Sequence, residues 1–394
     1  MASPFPTTRA AGCPFDPPVE LAKLRAEHPL SPMTFADGHV GWLVTSHALV
    51  RAVLADKRFS ARAELAHPVL PGVGGNDGRP AARGAFIRND PPEHTRYRHL
   101  VTGRFTVRRM RLLTDWITEL TKRRLDLMER HGPPVDLVEM FAQPIPAQVI
   151  FELLGIPHDQ HDELLHASAP LSRLDATPEE KLAAFTTLNT AVRDQVVAKR
   201  THPGDDMLSE LTATDLDDDE LTTMGFLLLG GGTDTTANML GLGVFALLQH
   251  PDQLAAMLRE PERTEHAVEE LLRYLSIIPG TIRTALEDVE LGGVVIEAGQ
   301  SVMVSIPAAN RDPERFPHPD ELDLHRPTGG HLAFGHGVHQ CIGQQLARVE
   351  MQVAFPALFA RFPTLRLAVR PEEVTVKDDM LIYGVHRLPV TWDV

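Results

Sequence analysis

Residues 334–343 read Phe334-Gly335-His336-Gly337-Val338-His339-Gln340-Cys341-Ile342-Gly343, and this stretch decides the fold. Two glycines ahead of the cysteine permit tight turns and a close backbone approach to a flat object. Cys341 stands at the head of a helical pattern in which Ile342, Leu346, Val349, Val353 and Ala357 share one face. A helix N-terminus carries unpaired N–H groups and partial positive charge, which stabilise a thiolate. Cys13 is the one other cysteine in 394 residues, so a disulfide framework is excluded. A buried thiolate in this setting points to a metal. His331, His336 and His339 suggest zinc, but zinc ligands usually come in separated pairs and there is no HExxH. An inert buried cysteine in a turn is the plain alternative, and it leaves the surrounding Phe, Gly and His residues unexplained.

A second informative stretch lies upstream. Met224–Leu248 approaches membrane-spanning length, but Thr233-Asp234-Thr235-Thr236 and Asn238 interrupt it. A charge at mid-bilayer costs at least ~2.5 kcal/mol, so the stretch reads as a buried helix of a soluble protein. Gly230, Gly231 and Gly232 in that helix would cost about 1 kcal/mol each relative to alanine, which points to something held close against it. A kink or a helix contact would account for the glycines alone, but not for an acid and hydroxyls amid apolar residues. The acids Asp217–Glu220 just before this run favour a helix N-terminus.

The whole chain is 43% apolar and 23% charged, the mix of a globular protein, with a formal charge of −15. That charge argues against a nucleic-acid or anionic-membrane binder. Residues 1–20 form a Pro-rich arm without the apolar core of an export signal, which implies a cytoplasmic protein. Val40–Thr45 reads as a strand and His47–Ala55 as a helix, and 61–90 as a long irregular loop of the kind that often serves as a lid or binding loop. Helical patterning covers 92–101, 107–131, 136–154, 178–199, 218–248 and 251–275; strand-like runs follow at Val289–Leu291, Val294–Ile296 and Ser301–Ile306, and again within 364–393. The expected class is mainly α with minor β, an α+β fold. A helical body spans 90–275, with β-rich portions near 30–60 and 277–394.

The cysteine stretch resembles the cytochrome P450 signature F-G-x-G-x-[HR]-x-C-x-G at Phe334, Gly335, Gly337, His339, Cys341 and Gly343. Other landmarks of that family appear in order. Gly231-Gly232-Thr233-Asp234-Thr235-Thr236 is similar to its distal-helix pattern, and Glu270-Leu271-Leu272-Arg273 to its ExxR motif. Arg326 fits the third member of the ExxR ion-pair cluster, although Leu322 stands where the family more often has Phe. The likeness runs along essentially the whole chain and is nearest to soluble actinobacterial members, which implies one P450 domain over 1–394. It implies heme b (iron protoporphyrin IX) between a long distal helix and the cysteine loop, with Cys341 as the iron ligand. His94, Arg98 and Arg283, with His339, would clamp the heme propionates; Phe334 and Gly343 would line the cofactor.

The resemblance further implies a monooxygenase that inserts one atom of O2 into a C–H bond of an apolar substrate by hydroxylation, epoxidation or demethylation. Asp234 and Thr235 would deliver protons. Leu227, Gly230, Gly231, Ile278, Thr281, Leu381 and Ile382, with the 61–90 loop and the segment near 166–182, would contact a polyketide, macrolide, terpenoid or xenobiotic. The chain lacks a Rossmann fingerprint and a cysteine cluster, so electrons from NAD(P)H would arrive through a ferredoxin and its reductase. Between Arg88 and Arg111, Arg88, Arg96, Arg98, Arg104, Arg108, Arg109 and Arg111 stand against Asp90 and Glu93, a local charge inversion that suits an acidic partner. A monomer is expected. Two competing readings are a non-catalytic heme-binding or sensor protein, which would not need a buried acid and hydroxyl, and a zinc hydrolase.

Overall fold

The computed structural model describes residues 2–9, 12–71, 78–105, 113–173, 175–327 and 329–394. Its helices are α1 (Val19–Glu27), α2 (His47–Ala55), α3 (Glu93–Thr102), α4 (Thr114–His131), α5 (Pro144–Leu154), α6 (His161–Ser172), α7 (Pro178–Thr201), α8 (Met207–Thr212), α9 (Asp218–Gln249), α10 (Pro251–Arg259), α11 (Thr264–Leu275), α12 (Ile306–Asn310) and α13 (Gln344–Arg361). The strands are β1 (Leu30–Thr34), β2 (Val40–Val44), β3 (Phe59–Ser60), β4 (Val135–Asp136), β5 (Gly280–Ala285), β6 (Val289–Leu291), β7 (Val294–Ile296), β8 (Ser301–Ser305), β9 (Arg366–Leu367) and β10 (Pro389–Thr391). The expected class, mainly helical with small sheets, holds. Among the described residues no helix is long and apolar enough to cross a membrane.

Contacts gather the chain into two units. One comprises Met1–Ala81, Ile87–His94 and His266–Ile342; the other comprises Ala82–Phe86, Thr95–Glu265 and Gly343–Val394. The first is built on a sheet of order β1-β2-β8-β5-β3, in which β2 and β8 run parallel, Trp42 opposite Val302. All five β8 residues are buried, because the sheet is covered on both faces. Val302 and Val304 point into a core with Val50, Val53 and Leu54 of α2, while Met303 joins Leu21 of α1, Met33 and Phe35 on the other side. This is period-2 alternation with both faces apolar. Each such side chain, fully buried, stabilises by about 1.5–3 kcal/mol.

The second unit is organised around α9. A helix that is apolar all round belongs in a core, and α9 is buried along most of its length. Its start is fixed by a capping box of Asp217 and Glu220. Glu220 does more than favour the helix dipole: one of its oxygens accepts from Arg96 (2.9 Å) and from the Tyr97 hydroxyl (2.9 Å) of α3, and Arg83 pairs with it at 2.9 Å. Burial alone would raise the Glu220 carboxyl, but the Asp217 backbone N–H, Arg96 and Tyr97 outweigh it and bring the pKa down to about 2. Farther along, glycines let neighbours close in: a Cβ at Gly225 would stand 2.6 Å from Val192 of α7, at Gly232 2.8 Å from Ile150 of α5, and at Gly243 2.6 Å from Phe355 of α13.

Several boundaries differ from the sequence reading, each for a local reason. The 136–154 run divides into β4, a π-type turn at Val138–Ala142 and α5, which opens with Pro144. The 251–275 run breaks at Pro261 into α10, a 3₁₀ turn and α11. Part of the segment near 166–182, read as a substrate loop, is helix α6, which carries Pro170 within it. Helices α1 and α8 have no counterpart in the sequence reading. In the 107–131 run α4 begins at Thr114, and residues 106–112 lie outside the described ones, Arg108, Arg109 and Arg111 among them.

Candidate functional site

The cysteine loop is shaped by its own backbone. Gly335 and Gly337 adopt φ of 71° and 73°, the left-handed region that glycine enters without a steric penalty. A Cβ on Gly337 would collide with the Leu54 carbonyl of α2, so only glycine lets the loop lie against that helix. The Cys341 N–H donates to the Phe334 carbonyl at 2.8 Å, closing the loop on itself, and the Leu332 N–H donates to the Asn310 side chain at 2.7 Å, tying it to α12. Helix α13 starts at Gln344 with Gly343 as its N-cap, so Cys341 lies just ahead of the helix as read from the sequence. Its side chain is not buried. The loop turns Cys341 to an exposed position, a correction that suits a ligand better than an inert core thiol.

The zinc reading fails on geometry. Among the described residues no group of three or more His, Cys, Asp or Glu side chains is placed to hold a metal ion.

The expected propionate clamps include two rings in contact. His94, buried in the first turn of α3, meets His339 of the cysteine loop with ring centroids 4.3 Å apart and the rings tilted by 54°. Arg98 follows one turn later on α3 and is half-buried. Arg283, on β5, is the informative residue. It is 7% exposed, and its guanidinium donates to the Thr281 hydroxyl (3.1 Å) and the Ile282 carbonyl (2.7 Å); among the described residues it has no ion-pair partner. Burial lowers its pKa to about 10, with Asp90 acting in the opposite sense. A buried cation without a counter-ion costs several kcal/mol, so an anion from outside the chain belongs beside it. A cofactor bearing carboxylates, with an exposed thiol for its metal, fits these residues.

In the second unit, α9 presents the other half of the expected chemistry. Gly230 and Gly231 are exposed in the middle of an otherwise buried helix, and a Cβ on either would meet nothing within 4 Å. Thr235 donates its hydroxyl to the Gly231 carbonyl at 2.9 Å. Asp234 accepts from the Asn238 side chain through Oδ1 (2.9 Å), while its Oδ2 is buried without a hydrogen bond. Lys377 lies 3.8 Å from Oδ1. The sequence reading missed Lys377, and only topology could have found it: the 376–385 hairpin, closed by Lys377 N–H donating to the Gly384 carbonyl (2.9 Å), folds back onto α9.

The ion-pair cluster assembles as read. Glu270 accepts from Arg273 (2.7 Å) and Arg326 (3.1 Å), both buried, and these arginines also bind carbonyls of the segment that leads to the cysteine loop, including Asn310, Pro319 and Glu321. Of the expected substrate contacts, Leu227, Ile278, Thr281 and Ile382 are half-buried and Leu381 is exposed. The bridge between Arg173 and Met380 brings the end of α6 beside the last two.

Comparison with known proteins extends these observations. A family model described as Cytochrome P450 matches residues 190–380. Cytochrome P450 105C1 of a Streptomyces species is 47% identical over 381 residues, 96% of each chain. This chain belongs to the cytochrome P450 family. Another relative, the pentalenic acid synthase of Streptomyces avermitilis, is 42% identical over 394 residues, 98% of this chain and 97% of its own. The crystal structure of CYP105P1 in complex with filipin I matches with a TM-score of 0.94 at 42% identity, covering 100% of this chain and 99% of that one. The chain is therefore a P450 monooxygenase, a heme-thiolate oxidoreductase that uses O2 and draws electrons from NAD(P)H through redox partners.

Proposed function

We propose that this P450 inserts one oxygen atom into a C–H bond of a hydrophobic secondary metabolite, a polyketide, macrolide or terpenoid, with electrons supplied by a ferredoxin and its reductase. The observation that carries the reading is the exposed Cys341 on its glycine-shaped loop, in a chain whose α9 holds an acid and a hydroxyl beside exposed glycines. Bound heme supplies dioxygen activation, and its thiolate ligand pushes electron density toward O–O cleavage. The chain's own residues do the rest. Cys341 ligates, with Phe334 and Gly343 lining the cofactor. Arg283, His94, His339 and Arg98 offer donors to two carboxylates, and Asp234 with Thr235 supplies protons. Gly230, Gly231, Leu227, Ile278, Thr281, Leu381 and Ile382 contact the substrate.

The substrate class draws on relatives, one named a pentalenic acid synthase and one solved with filipin I. We read residues 1–394 as one P450 domain that works as a monomer in the cytoplasm, where NAD(P)H is available. Two measurements test the reading. Reduced, carbon-monoxide-bound enzyme should show the strongly red-shifted Soret band of thiolate ligation, and Cys341→Ser should lose both that band and oxygenation. Titration with filipin I and a terpenoid panel should give a heme spin-state change for the accepted class. A Cys341→Ser enzyme with the full band and activity would overturn the ligand assignment.

A further inference from the structure

The segment that leads into the cysteine loop is held at two consecutive backbone amides, each by a side-chain acceptor. The Leu332 N–H donates to Asn310 Oδ1 at 2.7 Å, and the Asn310 side-chain amide donates in turn to the Ser276 hydroxyl at 2.8 Å. The Ala333 N–H donates to Nδ1 of His331 at 3.2 Å. A backbone amide has only a proton to give, so Nδ1 is the bare nitrogen of that ring and Nε2 carries the hydrogen. Nε2 lies 2.9 Å from Glu269 Oε2 on α11, so the carboxylate accepts there and holds the ring in this one tautomer. The His331 side chain is 3% exposed, and its ring centroid lies 6.2 Å from that of Phe334. Two carbonyls of the same turn then face back along the loop. That of Leu332 accepts from the Gly335 N–H, and that of Phe334 from the Cys341 N–H, both at 2.8 Å. Ala333 is thus fastened one residue ahead of the carbonyl that meets the Cys341 amide.

We propose that His331 is a positioning residue for the Cys341 thiolate, acting through Nδ1 as a hydrogen-bond acceptor, with Glu269 fixing its tautomer. The proposal rests on the reading of Cys341 as the heme ligand. With the Ala333 N–H taken up, the 332–335 turn keeps the Phe334 carbonyl within reach of Cys341, and hydrogen bonding around a ligating sulfur tunes what it donates. The Glu270–Arg273–Arg326 cluster binds carbonyls of the approach segment, whereas His331 takes an N–H, so the two ties are chemically independent. Two substitutions divide the imidazole between its nitrogens. Asparagine places its amide near the Nδ1 position, where it accepts from the Ala333 N–H, but it is too short to reach Glu269. Glutamine places its amide near the Nε2 position, where it donates to Glu269 and leaves the Ala333 N–H without that acceptor.

The test compares heme-loaded wild type, His331→Asn, His331→Gln and Glu269→Gln. Transfer of heme from each ferric protein to excess apomyoglobin is followed by absorbance, and the reduced, carbon-monoxide-bound band is recorded alongside. His331→Gln should lose heme about tenfold faster than wild type, the lower end of what removing an outer-shell partner costs at metal sites. Part of its carbon-monoxide band should move from the red-shifted thiolate position to the unshifted one. His331→Asn should match wild type in both respects. Glu269→Gln, whose amide can serve either ring tautomer, should lose heme at a rate between the two. Equal heme loss in the Asn and Gln variants, faster loss in Asn alone, or wild-type behaviour in all three would overturn the acceptor role. Wild-type heme loss in Glu269→Gln alone would remove Glu269 from the proposal and leave His331 in it. If His331→Gln does not fold, the other two variants decide: the proposal stands on a wild-type Asn variant beside a faster-losing Glu269→Gln, and falls otherwise. A wild type without the red-shifted band would overturn Cys341 as the ligand instead.

Discussion

Glu350 is an acid that the chemistry above does not use. It sits on α13 with 1% exposure, and its Oε2 has no hydrogen-bond partner. Burial pushes its pKa well above the ordinary 4.5. From 4.5 up to that raised value the folded chain keeps a proton that the unfolded chain has released, so this residue makes stability fall as pH rises through the interval. Glu350→Gln keeps the shape and removes the titration. Its melting temperature should vary less with pH than that of wild type across about pH 5 to 8, and an unchanged pH slope would show that Glu350 is already ionised in the fold. The buried Glu270–Arg273–Arg326 cluster behaves differently because every partner is present. Removing the shared carboxylate, as in Glu270→Ala, leaves Arg273 and Arg326 buried without a counter-charge and should cost roughly 3–5 kcal/mol, read by denaturant unfolding.

The glycines of α9 separate into two kinds, and substitution distinguishes them. Gly243→Ala places a methyl 2.6 Å from the Phe355 ring, in packing where overfilling costs typically 1–3 kcal/mol. Gly231→Ala meets nothing within 4 Å and gains about 1 kcal/mol of helix propensity, so it should raise stability before heme is added while weakening the binding of heme or substrate. Thermal melts with and without heme check both. Much of this helix is legible in sequence, because an apolar run with a capped start and a polar break has few alternatives. The cysteine loop is legible because six fixed residues crowd into ten positions. Other features are not legible for physical reasons. Helix α1 carries a single fully buried residue, Leu21, so periodicity does not mark it. Pro144 and Pro261 cut runs whose apolar spacing continues across the break. Lys377 reaches Asp234 only because a hairpin far along the chain folds onto α9, and no local pattern encodes that meeting.

At the scale of the whole molecule, the charge inversion read between Arg88 and Arg111 is partly answered within the structure: Arg108, Arg109 and Arg111 lie outside the described residues, but three of the described arginines are engaged or half-buried. Arg104 pairs with Glu210 at 2.6 Å, Arg96 pairs with Glu220 and Asp215, and Arg88 is half-buried with its pKa lowered by burial. Partly exposed pairs of this kind are worth about 0–1 kcal/mol, and their charges steer a partner weakly. Arg104→Gln should therefore leave both the rate and the salt dependence of ferredoxin-driven reduction unchanged; a marked loss in either would place the docking site there. The interleaving of the sheet has a separate outcome during synthesis. Strand β2 takes its parallel partner from residues 302–304, some 260 positions downstream of it, and β1 pairs with β2. At usual elongation rates the early strands wait on the order of ten seconds or more for that partner to leave the ribosome. Throughout that interval an apolar sheet edge is open to wrong pairings, so newly made chains are the population most dependent on chaperones, and the first residues made are among the last to be locked in place.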